Sequence, residues 1–172
     1  MPNLYIFDLD GVLFDNSHRQ HLLPTGDGQT VEQWDAFNLA CENDAPIEHM
    51  WQMLNELTRS SRNQVVFLTG RSEVCREQTA SSILKVIGWD PDSLTAKTFA
   101  KSHRCLRMRP VDDHRRASDF KRDAIVQIKD ETEGVYRIVL VDDDPSIIEA
   151  CGPLVDRAIL VKPFSGCSAL TR

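Results

Sequence analysis

Two carboxylates and a glycine lie close together near the start of the chain, as Asp8, Asp10 and Gly11. They follow four consecutive apolar residues, 4–7, which predict a strand buried on both faces. Ligands of open α/β sheets bind at the carboxyl ends of the strands, and a glycine lets the chain turn sharply there. The pattern predicts a catalytic centre, although an Asx turn after a strand uses the same residue types.

The Asp-x-Asp-Gly spacing also begins calcium loops, which lie between helices and have a glutamate at their twelfth position. Here Arg19 occupies the twelfth position counted from Asp8, and a buried strand precedes the motif. Calcium is therefore set aside. Arg19 instead follows the acidic turn closely enough to reach an anion bound there.

A second polar group follows the apolar residues 65–68, as Thr69, Gly70 and Arg71. A hydroxyl, a flexible backbone and a guanidinium are the groups that hold phosphate oxygens. The tripeptide alone is a weak signal, so its meaning depends on what lies beside it.

Lys121 lies in the first turn of a helix that Ser118 is predicted to cap. A cation is unfavourable at a helix N-terminus, so Lys121 needs either solvent or a nearby anion. Asp142 and Asp143 follow another apolar run, 138–141, and helix capping does not explain them, whereas Asp144 before a proline is a typical N-cap.

These motifs need a framework of strands and helices, and the spacing of apolar residues predicts one. The predicted fold is α/β, a Rossmann-like open parallel sheet with helices on both faces. We expect a single domain over 1–172, with a small helical cap insertion at about 15–60, because about fifty residues separate the first two strands. The predicted strands cover 4–7, 65–68, 105–108, 138–141 and 158–161.

Charge is distributed unevenly along the chain, whose net charge is −6. Residues 1–60 carry ten acidic and two basic side chains, whereas 101–122 carry eight basic and three acidic ones. A basic segment in an acidic chain predicts a local phosphate-facing surface. The alternative is a solvated loop and helix face with no partner.

Five scattered cysteines without a Cys-x-x-Cys pair predict reduced thiols and argue against structural zinc. The sequence also has no apolar run of about 18 residues, and no signal peptide precedes the first strand. We therefore expect no membrane partner and a cytoplasmic location.

The order of the four motifs resembles that of the haloacid dehalogenase (HAD) superfamily of phosphotransferases. The motifs are Asp-x-Asp-Gly, Thr-Gly-Arg, a lysine that opens a helix, and Asp-Asp after the last main strand. The resemblance implies a magnesium-dependent phosphatase, a phosphoric monoester hydrolase with an aspartyl-phosphate intermediate.

The chemistry of phosphoryl transfer gives each of these residues a role. Asp8 would be the nucleophile, and Asp10 would protonate the leaving oxygen and later deprotonate water. Thr69 would donate to a phosphate oxygen, and Lys121 would neutralise the nucleophile and the transferred group. Mg²⁺ would be held by Asp8, by the main-chain carbonyl of Asp10 and by Asp142 or Asp143.

Within the superfamily, the chain is similar to the 3′-phosphatase domain of phage-type polynucleotide kinase-phosphatases. Arg19, the segment 68–71 and the segment 108–116 leading into Lys121 carry this resemblance. It implies a polynucleotide 3′-phosphatase of nucleic acid end repair. The predicted substrate-binding residues are Arg19, Gly70, Arg71, Arg109, Arg115 and Arg116, with Arg19 and Arg71 in contact with the phosphate.

The sequence departs from the family pattern before the motif lysine. The family has an Asp three or four residues earlier, whereas this chain has Ser118 and Ala117 there and Asp119 two residues earlier. The sequence has no Gly-x-x-x-x-Gly-Lys-Ser/Thr loop, so no kinase half is expected in it.

Two alternatives remain at this stage. A nucleoside monophosphatase on the same scaffold would use the same site on a free nucleotide. A non-enzymatic phospho-acceptor switch of the receiver type has similar residue types, but places its acidic pair on the first strand and its acceptor on a middle one.

Overall fold

The computed structural model describes residues 1–25 and 31–162. The strands, in chain order, are β1 (Asn3–Phe7), β2 (Phe14–Asp15), β3 (Ala45–Pro46), β4 (Asn63–Ser72), β5 (Leu106–Arg109), β6 (Arg137–Asp142) and β7 (Arg157–Leu160). The α-helices are α1 (Val31–Leu39), α2 (Glu48–Thr58), α3 (Arg76–Ile87), α4 (Leu94–Lys101), α5 (Ala117–Glu131) and α6 (Pro145–Cys151). Short 3₁₀ turns cover Ser17–Leu22, Ala40–Asn43, Glu73–Cys75 and Gly152–Leu154.

The main sheet has five parallel strands in the order β5-β4-β1-β6-β7. The first strand of the chain lies at its centre, where Tyr5 pairs with Val65 of β4 on one side and with Val139 of β6 on the other. The predicted α/β class, an open parallel sheet with helices, is confirmed.

Helices cover both faces of this sheet, and β1 divides its apolar side chains between them. Phe7 belongs to a core that includes Trp51 of α2 and Ile83 of α3. Leu4 and Ile6 belong to the core on the other side, which α5 and α6 complete. Burial on both faces explains why residues 4–7 are uniformly apolar.

Between β1 and β4 the chain forms the two-stranded antiparallel sheet of β2 and β3, helix α1 and helix α2. Helix α2 starts at Glu48, two residues after Pro46, which pairs with Phe14 in the small sheet. Helix α2 packs on the main sheet, and Trp51 Nε1 donates to the Leu13 carbonyl at 2.7 Å. The division into one domain with a cap at about 15–60 stays a prediction.

The sequence predicted the N-cap residues of two helices, α5 and α6. The Asp144 carboxylate accepts from Ser146 N at 2.7 Å, which confirms the predicted N-cap of α6. The predicted Ser118 cap of α5 is wrong: the helix begins at Ala117 and its N-cap is Arg116, which makes no side-chain capping bond. No helix within residues 1–25 and 31–162 is long and apolar enough to cross a membrane.

Candidate active site

The site lies at the carboxyl end of β1, where the order of the strands reverses. From β1 the chain goes to β4 and β5 on one side, and then returns to β6 and β7 on the other. Asp8 leaves the sheet at this point, and its N–H donates to the Val141 carbonyl at 2.9 Å. Crevices of open α/β sheets form at such reversals, so the topology places Asp8 where a ligand is expected.

Three carboxylates meet in this crevice. Asp8, Asp142 and Asp143 each offer an oxygen, and these atoms lie within 4.8 Å of one another. Gly11, at φ +74°, makes room for them, since a Cβ at Gly11 would lie 2.0 Å from Asp143 Oδ2. An all-oxygen cluster suits a hard divalent cation such as Mg²⁺. The residues therefore fit the predicted metal, and they include both members of the predicted Asp142/Asp143 pair.

Lys121 lies between two of these carboxylates. Its Nζ lies 2.7 Å from Asp142 Oδ2 and 2.9 Å from Asp8 Oδ1, and the side chain is 2% exposed. Burial opposes the charge, but the Asp8 and Asp142 carboxylates outweigh it and raise the pKa of Lys121. A buried cation needs such partners. The sequence predicted that Lys121, at a helix N-terminus, needs solvent or a nearby anion. Asp8 and Asp142 are the anions beside it.

The acidic cluster gives Asp8 an unusual titration. Burial raises the pKa of Asp8 to about 7 against the pull of Lys121, and the Asp142 and Asp10 carboxylates add to the rise. Burial, with the Asp142 charge, also raises the pKa of Asp143 to about 6. Asp8 Oδ1 is buried, with the Lys121 ammonium 2.9 Å away. A cation beside these oxygens would relieve their repulsion.

Asp10 points away from this cluster, towards two arginines. Arg71 donates from Nε to Asp10 Oδ2 at 3.0 Å and from Nη2 to Oδ1 at 2.8 Å, and Arg19 Nη2 also donates to Oδ1. Burial alone would raise the pKa of Asp10, but Arg71 and Arg19 outweigh it and lower the pKa. The pKa values of Asp8 and Asp10 thus shift in opposite directions although only one residue lies between them.

A second carboxylate, Asp44, holds both arginines from the other side. It accepts from Arg19 Nε at 2.8 Å and from Arg71 Nη2 at 2.6 Å, and His18 Nε2 lies 2.9 Å from it. The Asp44 side chain is fully buried. Sequence reasoning missed Asp44 because it precedes a two-residue strand with a proline and is typical of a turn, and nothing local indicates its partners.

The predicted phosphate-binding residues fall into two groups. Arg19, Arg71 and Thr69 are buried, and Thr69 Oγ1 accepts from Arg71 N at 3.2 Å. None of these three lines the cavity beside Asp8, so their contact with phosphate stays a prediction. The second group, which does line that cavity, is Gly70, Arg109, Arg115 and Arg116.

That cavity has a volume of about 680 Å³. Asp8, Asp10, Lys121 and Asp143 form one end of it, and the loop 109–117 forms another part of its wall. Helix α1 contributes aromatic side chains, Trp34 and Phe37. The volume lies in the usual range for small-molecule sites.

The arginines of the loop differ in how they are bound. Arg115 pairs with Asp113 at 2.8 Å and with Asp123 at 2.5 Å. Arg109 donates from Nη1 to the Arg115 carbonyl at 2.7 Å, while its buried Nε has no partner among the described residues. The Arg116 side chain has no hydrogen bond or ion pair within the part of the chain that is described.

Comparison with known proteins identifies the family. The model of the polynucleotide kinase PNKP phosphatase domain matches residues 2–150. This chain belongs to that family. It is an HAD-type phosphatase domain, as the motif order predicted. No curated protein sequence matches the chain.

Solved structures agree with this phosphatase-domain fold. The Pnkp1/Rnl/Hen1 complex contains a chain with 21% identity and a TM-score of 0.63, covering 94% of this chain and 46% of that one. A chain in a second structure, of the Pnkp1/Rnl/Hen1 RNA repair complex, has 22% identity and a TM-score of 0.62. The match covers 94% of this chain and 43% of that one. The phosphatase domain thus spans less than half the length of these proteins. An HAD family enzyme from Bacteroides thetaiotaomicron, in complex with magnesium and inorganic phosphate, has 10% identity and a TM-score of 0.50, with full coverage of both chains.

Proposed function

We propose that the chain removes 3′-phosphates from polynucleotide ends by magnesium-dependent hydrolysis through an aspartyl-phosphate intermediate. The observation that carries the proposal is the cavity, which has Asp8 at one end and the arginine loop 109–117 in its wall. The first end suits a phosphate monoester and the second suits further phosphates of the same strand.

In the first half-reaction Asp8 attacks phosphorus, and the bond from phosphorus to the nucleoside 3′-oxygen breaks. Mg²⁺ held by Asp8, Asp142 and Asp143 would supply charge neutralisation to the phosphoryl oxygens. Lys121, 2.9 Å from Asp8 Oδ1, neutralises the nucleophile. The leaving oxygen takes a proton from Asp10. In the second half-reaction Asp10 removes a proton from water, which attacks the phosphoaspartate and releases inorganic phosphate and Asp8.

The ion pairs of Asp10 favour its carboxylate form. That form suits the second half-reaction, in which Asp10 accepts a proton. The first half-reaction needs a protonated Asp10, so a substrate phosphate that competes for Arg71 and Arg19 would favour it by weakening their hold on the carboxylate. This competition is how the two buried arginines would act on phosphate, as predicted from the sequence.

The polynucleotide part of the proposal is supported by the family, whose phosphatase domain is that of a polynucleotide kinase. The structures named above include an RNA repair complex, which is consistent with a role in nucleic acid end repair. Within the chain, the Arg116 side chain lines the cavity and has no partner among the described residues, so it is the donor available to strand phosphates. The cytoplasmic location expected from the sequence stays a prediction.

The test compares phosphate release from a 3′-phosphorylated oligonucleotide with release from free 3′- and 5′-nucleotides, with Mg²⁺ and with a chelator. We expect kcat/KM to be highest for the oligonucleotide, and activity to disappear with the chelator. Asp8→Asn is the control for contaminating phosphatases, because an amide of nearly the same shape cannot attack phosphorus.

Other outcomes would replace the proposal. Preference for a free nucleotide would favour the nucleoside monophosphatase, which the cavity volume of about 680 Å³ also accommodates. A single turnover with a stable phosphoprotein would favour the phospho-acceptor switch. Full activity in the chelator would remove the metal from the mechanism.

A further inference from the structure

An exposed indole lies in the catalytic cavity. Among the exposed large apolar side chains of the described residues, only Trp34 and Val111 line it. Trp34 is 36% exposed, whereas Phe37, three residues later on α1, is buried. Apolar side chains of this size are usually buried, so an indole open to a catalytic cavity suggests a ligand that covers it.

The indole is held in place from beneath. The rings of Trp34 and Phe37 meet edge to face, with centroids 6.0 Å apart. Phe37 is buried, and the Arg19 guanidinium lies 4.0 Å from its ring centroid. Trp34 is therefore attached to the same cluster of residues that contacts Asp10. A fixed aromatic surface loses little entropy when a ligand binds to it.

The rest of the cavity wall shows what kind of ligand fits. Its catalytic end handles a phosphate, and the loop contributes the apolar Val111, 54% exposed, together with the cation Arg116. A ligand that suits an indole, a valine and a cation beside a phosphate site has a flat π-system joined to an anion. A nucleotide has this composition, and every base offers a face for stacking.

We propose that Trp34 is the stacking platform for the base of the nucleotide that carries the scissile 3′-phosphate. This inference rests on the proposed function, because it takes the phosphorylated strand end as the substrate. A stacked base must be unpaired from the opposite strand or free to leave it. The platform therefore selects a terminal nucleotide that is single-stranded or frayed.

The experiment compares two 3′-phosphorylated oligonucleotides that differ only in the terminal residue, which is a normal nucleotide in one and abasic in the other. Trp34→Ala should raise KM for the normal end by about 5- to 150-fold, the range of base–aromatic stacking. Trp34→Phe, which keeps an aromatic ring, should raise this KM much less. On the abasic end, wild type and Trp34→Ala should have the same KM and kcat.

Trp89→Ala is the matched control. Trp89 is 42% exposed and meets Phe99 edge to face at 6.3 Å, but it does not line the cavity. Trp89→Ala should change neither KM nor kcat for either oligonucleotide. The abasic substrate also controls for folding, because a Trp34→Ala protein that failed to fold would lose both activities.

Equal loss of Trp34→Ala activity on the two substrates would overturn the platform and make Trp34 a residue of the fold. Unchanged KM on the normal end would overturn it as well. Either result leaves the proposed function standing if wild type hydrolyses the normal end. If wild type hydrolyses neither oligonucleotide, the proposed function fails, and the platform, which depends on it, fails too.

Discussion

Asp8 and Asp10 lie two positions apart in the sequence, and their surroundings shift their pKa values in opposite directions. Burial, Asp142 and Asp10 raise the pKa of Asp8, whereas Arg71 and Arg19 lower that of Asp10 against its burial. A nucleophile must be ionised, so the shift of Asp8 is the wrong one for a protein without metal. A divalent cation held by Asp8, Asp142 and Asp143 would reverse this shift, since a cation favours the carboxylate.

Asp10→Asn tests the acid role. The variant should lose most of its activity on an alkyl phosphate such as a nucleoside 3′-phosphate, because that leaving oxygen needs a proton. It should lose much less on an activated aryl phosphate, whose leaving group departs unprotonated. Steady-state kcat on both substrates is the measurement. Equal loss on the two substrates would remove Asp10 from the acid role.

Asp44→Asn tests the support beneath these residues. The amide removes the charge that faces Arg19 and Arg71, and breaking a buried ion pair costs about 3–5 kcal/mol. We expect the free energy of unfolding in urea to fall by that amount.

Asp15→Asn is the control for Asp44→Asn. Asp15 is exposed and accepts from Ser17 N at 2.8 Å, which an asparagine can also do. It should change stability by less than about 0.5 kcal/mol. Similar stability of the two variants would mean that Asp44 is not needed to hold the arginines.

The residues of the site that the sequence revealed share one property: they follow buried strands or begin a helix, so that topology alone brings them together. Asp8, Asp142 and Asp143 are of this kind, and Lys121 joins them through α5. Asp44 has no such signal, because its role depends on tertiary contacts with arginines 25 and 27 positions away.

Among the elements, the loop after β5 determines what the basic segment 101–122 can do. Its arginines are not equivalent, since Arg115 is neutralised by Asp113 and Asp123 whereas Arg116 is free within the described chain. The sequence predicted that both contact substrate phosphates. The structure separates them by their partners.

Arg116→Ala should raise KM for the 3′-phosphorylated oligonucleotide and reduce the slope of log KM against log salt by about one, the value of a single phosphate contact. Arg115→Ala should have a smaller effect, since Arg115 already has two carboxylate partners. A small aryl phosphate makes no remote contacts, so its KM should stay constant. Loss on the aryl phosphate as well would place Arg116 in the catalytic step or the fold.

Apolar runs predicted the three central strands of the main sheet, β1, β4 and β6, because burial on both faces leaves a uniformly apolar composition. The pair β2 and β3, two residues each, had no such signal and forms through tertiary contacts such as the Leu13 carbonyl with Ile47 N at 2.9 Å. Helix α4 was also missed, although Ser93 caps it by accepting from Ala96 N at 3.1 Å.

At the scale of the whole molecule, the ionisation of the acidic cluster is linked to stability. The pKa of Asp8 rises from 3.8 to about 7 on folding, so the folded metal-free protein retains a proton that the unfolded chain has lost. The contribution is fully present below about pH 3.8 and is lost as the pH rises through about 7. Asp143, raised to about 6, acts in the same direction.

In a chelator, the thermal midpoint of wild type should therefore fall relative to that of Asp8→Asn as the pH rises from about 4 to about 7. Added Mg²⁺ should remove the fall in wild type, because the cation stabilises the ionised carboxylates. Differential scanning calorimetry over this pH range measures both effects. Parallel curves for the two proteins would show that Asp8 ionises normally.

Gly11 has a consequence for how the sequence can vary. Gly11 and Gly88 both have left-handed φ, +74° and +70°, so backbone strain penalises a side chain about equally at either position. A Cβ at Gly11 would displace the Asp143 carboxylate of the acidic cluster, whereas nothing lies within 4 Å of a Cβ at Gly88. If each codon is randomised and active clones are sequenced, position 88 should return asparagine and other residues beside glycine. Position 11 should return glycine alone, because Asp143 occupies the space that any side chain at this position would need.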